Sequence, residues 1–417
     1  MTAALCGLFY GFSIMAMKQT QTKFYHYSDY GLDLCAASKN KYLEVLKKVL
    51  ALGFNEQTVL SCFVSGNSVT LEYGVQHNYV EDRVIKISSG PLSLINGGEF
   101  VIDSVTATSL TITIDEAPIS IAGGFGTIVA PLGYDLVYEL NQVQIYKFKA
   151  LDESDLFLRM CIPEGSISCK IVPCVSNQVD LNNGVLIGDN LYPEAANVSQ
   201  VVETGLGWRL HSTASSTYNN YSYKNGFDNN VGLQSCIVGS KYHLLFCTNH
   251  SYNAGNKQSM GNINGMLPFV GSHTYFTIPI VILGSSSAST NALSVADMRL
   301  NHISVKMDSA AGSGLLSRPQ ATANYLSTEI DAFNATTCVP LLITERATSQ
   351  FLGFALGLQI LRQGSSNYPS ADPSITPSVT EEVDFGSKIV IHSLGGGTSS
   401  PGNANYFAIP IEEVKYG

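Results

Sequence analysis

The sequence predicts a mainly β fold, a β-rich α+β chain in which one N-terminal helix leads into a small β-barrel and then into one or two larger sandwich-like β domains. Three observations carry this. A helical period of apolar residues occurs once, between Ser38 and Leu52; beyond Phe54 the apolar period is two; and the period-two runs are short, with Gly, Asn and Ser turns between them.

Taken in order, the helix rests on Leu43, Leu46, Val49 and Leu50, which recur at i, i+3, i+6 and i+7, with Lys47 and Lys48 on the other face. Ser38 or Asn40 supplies a cap and Gly53 a stop. Short β-rich runs follow at Val59 to Val64, Ser68 to Tyr73, Arg83 to Ser88, Glu99 to Val105, Ser109 to Ile114 and Gly126 to Val129. Turn signals at Ser65-Gly66-Asn67, Ser89-Gly90-Pro91, Asn96-Gly97-Gly98, Ala107-Thr108 and Gly123-Gly124 separate them. So many short strands in so little chain describe a closed or nearly closed barrel, because closure removes edges that would otherwise stand open. Further on, strands are expected at Gln142 to Lys149, Leu156 to Cys161, Ser168 to Val175, Ser235 to Gly239, Tyr242 to Cys247, Tyr275 to Leu283, Ile303 to Met307, Lys388 to His392 and Tyr406 to Pro410. Between them lie Ser/Asn/Gly/Tyr-rich loops, notably Ser212 to Asn230 and Gly364 to Thr380, which suit either adaptable contacts or solvated spacers. The expected divisions are an apolar arm at 1–20, a helical lead-in at 21–53, the barrel at 54–131, a β-rich middle domain at 132–270 and a β-rich C-terminal domain at 271–417.

Composition narrows the function. The 417 residues hold 23 Lys+Arg against 33 Asp+Glu, a net charge of −10, and are 45% hydrophobic. Mean hydropathy is +0.13, and the pI is near 5.3. Disorder requires low hydrophobicity and high net charge, so the chain should fold. The pI and the lack of a basic run argue against direct nucleic-acid binding, which draws on clustered cations. Charged residues make up 13% of the chain, about half the ~25% of ordinary soluble domains. Thr2 to Met17 is apolar and small but has no basic n-region, and it is too short to span a membrane. It reads as an arm packed on its own or a neighbouring subunit, as a first strand or helix, or as a targeting remnant.

No motif assigns chemistry. GxxxxGK[ST], GxSxG and HExxH are absent, and Gly395-Gly396-Gly397 has no third glycine at the required offset. Among the nine cysteines, Cys161, Cys169 and Cys174 form one group, and Cys236, Cys247 and His250 another. Buried thiols, a metal site and a disulfide between neighbouring strands all fit, with the first favoured because zinc spacings are missing. The acidic groups Asp152, Glu153, Asp155 and Glu381, Glu382, Asp384 read as solvated rims rather than acid/base pairs or cation sites. His77 reads as a turn residue bonded to backbone, and Trp208 as core or subunit contact. No catalytic, cofactor-binding or metal residue is assigned, and no cofactor is expected.

Thr58-Val-Leu, Ser68-Val-Thr, His77-Asn-Tyr, Arg83-Val-Ile-Lys-Ile-Ser, Leu94-Ile-Asn-Gly-Gly-Glu-Phe-Val-Ile and Val105-Thr-Ala-Thr-Ser-Leu-Thr resemble a module of tailed-bacteriophage virion proteins. In that module the series forms a small SH3-like β-barrel. Leu52-Gly53-Phe54 resembles the lead-in of one uncharacterised phage family of similar length. Pro131-Leu-Gly-Tyr, Gln144-Ile-Tyr-Lys, Leu158-Arg-Met and the stretch Cys236 to Cys247 are similar to its later motifs. The resemblance spans residues 25 to 270. The chain departs from the family at Leu158-Arg-Met-Cys-Ile-Pro and Ser168-Cys-Lys-Ile-Val-Pro-Cys, and the arm before Met17 is extra.

The resemblance implies a non-enzymatic structural subunit of the virion tail, baseplate or neck. Its expected partners are further copies of itself and neighbouring virion proteins, with no direct nucleic acid and no membrane. The other reading is a receptor- or glycan-binding module of a tail fibre, with host surface glycan as partner. An enzyme embedded in the tail is the third. Under the first reading, the low charge becomes a statement about surfaces: much of the exterior should be interface.

Overall fold

The computed structural model describes residues 22–32, 34, 39–89, 95–161, 170–188, 208–209, 235–253, 258–271, 279–286, 293–300, 303–307, 315–316, 337–345, 347–362, 378–381, 388–394 and 405–411. Within these the protein is mainly β, with 28 strands against one α-helix that runs on as π turns. The described chain divides into a small unit, Glu56–Val129, and a larger one built from Thr20–Asn55 and Ala130–Gly417.

The small unit is a seven-stranded sheet. Its order is Phe54–Val59, Phe125–Val129, Val84–Ser89, Glu99–Val105, Ser109–Thr113, Ser68–Glu72, Ser61–Ser65. Alternation selects the core: Val69 and Leu71 are buried while Ser68 is exposed, and Ile85, Ile87, Phe100, Ile102, Leu110 and Ile112 complete the apolar face. The first and last strands of this order are consecutive in the chain and meet at Leu60. At that bend the Leu60 N–H donates to the Glu72 carbonyl at 2.7 Å, and the Gly124 N–H donates to the Val59 carbonyl at 2.8 Å. One bent strand therefore serves both ends of the sheet, which curls into a half-barrel. Backbone crowds the bend. A Cβ at Gly123 would overlap the Leu60 carbonyl oxygen, and one at Gly74 would lie 2.6 Å from Leu60 Cδ1.

In the larger unit, Lys23–His26 starts a fourteen-stranded sheet by pairing antiparallel with Ser235–Ser240, so the expected helical lead-in opens with a strand. The path continues through His243–Asn253, Gln258–Leu267, Ile280–Ser286, Leu293–Leu300, Ile303–Met307, Thr337–Glu345, Phe351–Arg362, Asn405–Pro410, Lys388–Leu394 and Ser378–Glu381. Pairing runs from Gln258–Leu267 to Ile280–Ser286, across the 270/271 division read from the sequence. Phe24, Val238, Leu245 and Ile263 from the first half share one core with Leu341, Ile343, Val390 and Phe407 from the second. The sheet thus folds over on its own apolar face.

Ser235–Ser240 is buried at every position, which a strand covered on one side only would not be. Cys236 and Val238 face that shared core. Trp208, which pairs with Ile171 at the edge of a five-stranded sheet, packs on Phe246 of the neighbouring strand with ring centroids 5.4 Å apart. The helix Lys39–Lys47 and its π turns Lys48–Leu52 bury Tyr42, Leu46, Val49 and Leu50. Helix ends leave carbonyls without partners. Here the segment 132–134 supplies them: Leu132 N–H donates to Val49 O, and Gly133 and Tyr134 N–H donate to Leu50 O. Gly53, at φ 77°, turns the chain out and donates to Lys48 O at 2.8 Å.

Gly123 and Gly124 separate close approach from conformation. Gly124, at φ +87°, has nothing within 4 Å of an added Cβ. Gly124→Ala is expected to cost about 1 kcal/mol of unfolding free energy from the left-handed backbone alone. Gly123→Ala must displace the bend and is expected to cost at least ~3 kcal/mol. Urea unfolding of the two variants checks the order.

Candidate functional site

The residues carrying the virion-module resemblance converge in the small unit. His77 is 1% exposed. Its Nδ1 accepts the Tyr79 N–H at 2.9 Å, and its Nε2 lies 2.9 Å from the Ser109 carbonyl. A carbonyl only accepts, so Nε2 carries the proton and both ring nitrogens are committed to backbone. The Tyr79 hydroxyl reaches Thr127 O and Oγ1, both at 2.9 Å, and the Tyr73 hydroxyl lies 3.1 Å from the same Oγ1. The three rings pack with centroids 4.9 to 5.6 Å apart. Burial raises both tyrosine pKa values well above the ordinary phenol range. His-x-aromatic spacing thus puts a backbone-locked imidazole beside a buried phenol. This is a device for fixing the chain between Gly74 and Arg83, and it leaves His77 without a lone pair for base catalysis.

The cysteines are thiols at Cys62, Cys161, Cys174, Cys236 and Cys247. Cys236 and Cys247 are register partners on adjacent strands and face the shared core. Cys161 and Cys174 sit with Ile145, Val172 and Leu186 on one face of the five-stranded sheet. Burial pushes the Cys161 and Cys247 thiols up and holds Cys62 at about 11, opposite to the depressed pKa of a reactive thiol. Arg159, opposite Cys174 and 3% exposed, donates through Nε to the Gly184 carbonyl at 2.8 Å. It ties the hairpin of Gln178–Asp180 and Val185–Ile187 to the sheet, a role its place in Leu158-Arg-Met does not announce.

The acidic cluster at 152–155 dissolves into separate contacts. Asp152 accepts from the Ser154 N–H and hydroxyl, Glu153 from the Tyr242 hydroxyl and Lys241 Nζ, and Asp155 from Lys149 Nζ at 2.7 Å. These bonds lower all three carboxyls, that of Glu153 chiefly through Tyr242. General acid catalysis needs one carboxyl raised, and this cluster has none. Among the described residues no group of three or more His, Cys, Asp and Glu could hold a metal ion, and no helix is long and apolar enough to cross a membrane. Cys169, Glu382, Asp384, Gly395-Gly396-Gly397, residues 1–20 and 212–230, most of 364–380 and the His250 side chain lie outside the described residues.

His243 is fully buried in the larger unit. Its Nδ1 lies 2.8 Å from Ser240 Oγ, and its Nε2 has no hydrogen-bond partner among the described residues. Desolvation depresses its pKa to about 3. The unfolded chain takes up a proton near pH 6.5 and the folded chain does not, so stability present above that pH is lost as pH falls toward 3. The slope approaches ~1.4 kcal/mol per pH unit. His243→Asn should be destabilised at neutral pH, and its deficit against wild type should shrink steadily below pH ~6.5 in urea unfolding at stepped pH.

No family model and no curated protein matches the chain. Among solved structures it is similar to the phage phi92 endosialidase, with a TM-score of 0.16 and 10% identity, over 87% of this chain and 52% of that one. The chain spans about half the length of that protein. A TM-score this low establishes no common fold, and nothing of that enzyme's activity carries over.

Proposed function

We propose that the chain is a structural subunit of a tailed-phage virion, in the tail, baseplate or neck, and that its small unit is an SH3-like β-barrel module. The observation that carries this is the convergence of the module's motif residues. His77-Asn-Tyr79, Gly97-Gly98-Glu99-Phe100 and Ser109 are the residues that lock the curled sheet. His77 bonds Ser109, the Gly97 N–H donates to Ile87 O, and a Cβ at Gly98 would lie 2.7 Å from the Phe100 ring. A motif whose members meet in one packing arrangement supports that arrangement more strongly than sequence similarity alone.

In this reading the protein acts by assembly and performs no catalytic step. Its partners are copies of itself and adjoining virion proteins, and its place is the virion. The low charge fraction and the exposed apolar residues Leu52, Leu60, Phe63, Ile119 and Leu140 supply surface for such contacts. A glycan-binding module is the second reading. It is favoured by Phe351 and Phe354, exposed at the start of Phe351–Arg362 with ring centroids 5.3 Å apart.

The test is assembly of the full chain. Electron microscopy and sedimentation should show closed oligomers, and an antibody to the chain should label purified particles of its phage. A monodisperse monomer at high concentration that is missing from virions would refute the proposal. Retention on a glycan array, lost in Phe351→Ala/Phe354→Ala, would favour the second reading.

A further inference from the structure

The strand Ser61–Ser65 ends the curled sheet. It pairs with Ser68–Glu72, and no strand among the described residues pairs with its other side. An open edge is a template for another chain, and folded proteins blunt such edges with lysine, proline, bulges or a cover. Here the stretch Gln57 to Leu71 contains no charged residue and no proline. Phe63 stands 67% exposed at the centre of the edge, and Leu60, 62% exposed, lies against Gly74 beside the exposed Val75.

Charge defines what this edge accepts. Glu56–Val129 holds two cations, Arg83 and Lys86, against eight acids, Glu56, Glu72, Glu81, Asp82, Glu99, Asp103, Asp115 and Glu116. That is 2 − 8 = −6 of the chain's −10. Acids flank both ends of the edge. Glu72 is the register partner of Ser61. At the other end, exposed Asp115 and Glu116 follow Ile114, whose N–H donates to Asn67 O at 2.8 Å, in the turn after Ser65. A second copy using the same edge would bring two strongly acidic units together, so self-pairing is opposed.

We propose that Ser61–Ser65 is a docking edge for an extended segment of a partner protein, apolar at its centre with Lys or Arg at both ends, which adds to the sheet as an eighth strand. Backbone hydrogen bonds provide the attachment, Phe63 packs on the apolar centre, and the acids at the two ends fix register and select cations. The inference rests on the small unit alone and does not depend on the virion reading.

The probe is a fluorescent Lys-Lys-Thr-Val-Thr-Val-Thr-Lys-Lys peptide titrated into the full chain, followed by anisotropy and by amide hydrogen exchange. Binding should be saturable, should weaken about tenfold between ~0.05 and ~0.5 M salt, and should slow exchange at residues 61–65. The same peptide with Glu in place of Lys should bind at least about tenfold more weakly. Phe63→Lys, at a position too exposed to disturb the fold, should reduce binding while leaving the thermal unfolding curve in place. Equal binding of the two peptides, protection elsewhere in the chain, or no binding of the Lys peptide would overturn the proposal. Self-association that strengthens with salt would also overturn it, by assigning the edge to a second copy.

Discussion

The small unit depends on one strand satisfying two ends of a sheet. The five inner strands of the sheet would leave two rows of unpaired backbone groups, and each buried unpaired group costs free energy comparable to a lost hydrogen bond. By bending at Leu60 the chain covers both rows, with residues 54–59 beside Phe125–Val129 and residues 61–65 paired with Ser68–Glu72, and moves the open edges onto these two outer strands. The bend is feasible because neighbouring positions have no side chain: Gly123 lies on the Leu60 carbonyl and Gly74 on its methyl. The His77, Tyr79, Tyr73 and Thr127 network fixes the long connection from Gly74 to Arg83.

The larger unit solves a different problem with the same scarcity of charge. Its strands Lys23–His26, Ser235–Ser240 and His243–Asn253 carry apolar residues on both faces, with Phe24 and Val238 toward one core and Phe246 toward Trp208. A layer covered on both sides needs few charged residues, so part of the low charge fraction is internal architecture rather than interface. Some buried polar groups there are bonded, as with the Tyr25 hydroxyl donating to Ala130 O at 2.6 Å, whereas His243 Nε2 has no partner among the described residues.

Much of the strand pattern was legible because period-two alternation records one-sided burial, as at Val69 and Leu71. Three of the strands that the sequence hides share a cause. Gln258–Leu267 contains Gly261, Asn262, Asn264 and Gly265 and reads as loop, yet Gly265 stands at φ +153° where a Cβ would overlap the Leu244 carbonyl. Phe351–Arg362 carries Gly353 and Gly357 at positive φ, and Thr337–Glu345 carries Pro340 beside a register shift. Glycine and proline mark turns in isolated sequence, but in a wide curled sheet they mark bulges and close strand approach. His77 and the described buried thiols Cys161, Cys174, Cys236 and Cys247 stand where the sequence reading puts them, as turn and packing residues, because their chemistry lacked partners nearby in sequence. Arg159 bonds Gly184, and the His243 ring lies so close to Gly357 that a Cβ there would come within 3.0 Å of it; both neighbours are brought near only by folding. The open edge was hidden for the same reason: Ser61–Ser65 looks like any short strand until the sheet order places it last.

The central claim is that the bent strand holds both ends of the small sheet through the bonds at Leu60 and Gly124. Native-state amide hydrogen exchange tests it directly. The Leu60 and Gly124 amides should exchange as slowly as those of Ile85 and Ile102 in the interior strands, through the same cooperative opening. If instead they exchange at rates typical of exposed loops while Ile85 and Ile102 stay protected, the two ends are not held at the bend and the account is contradicted.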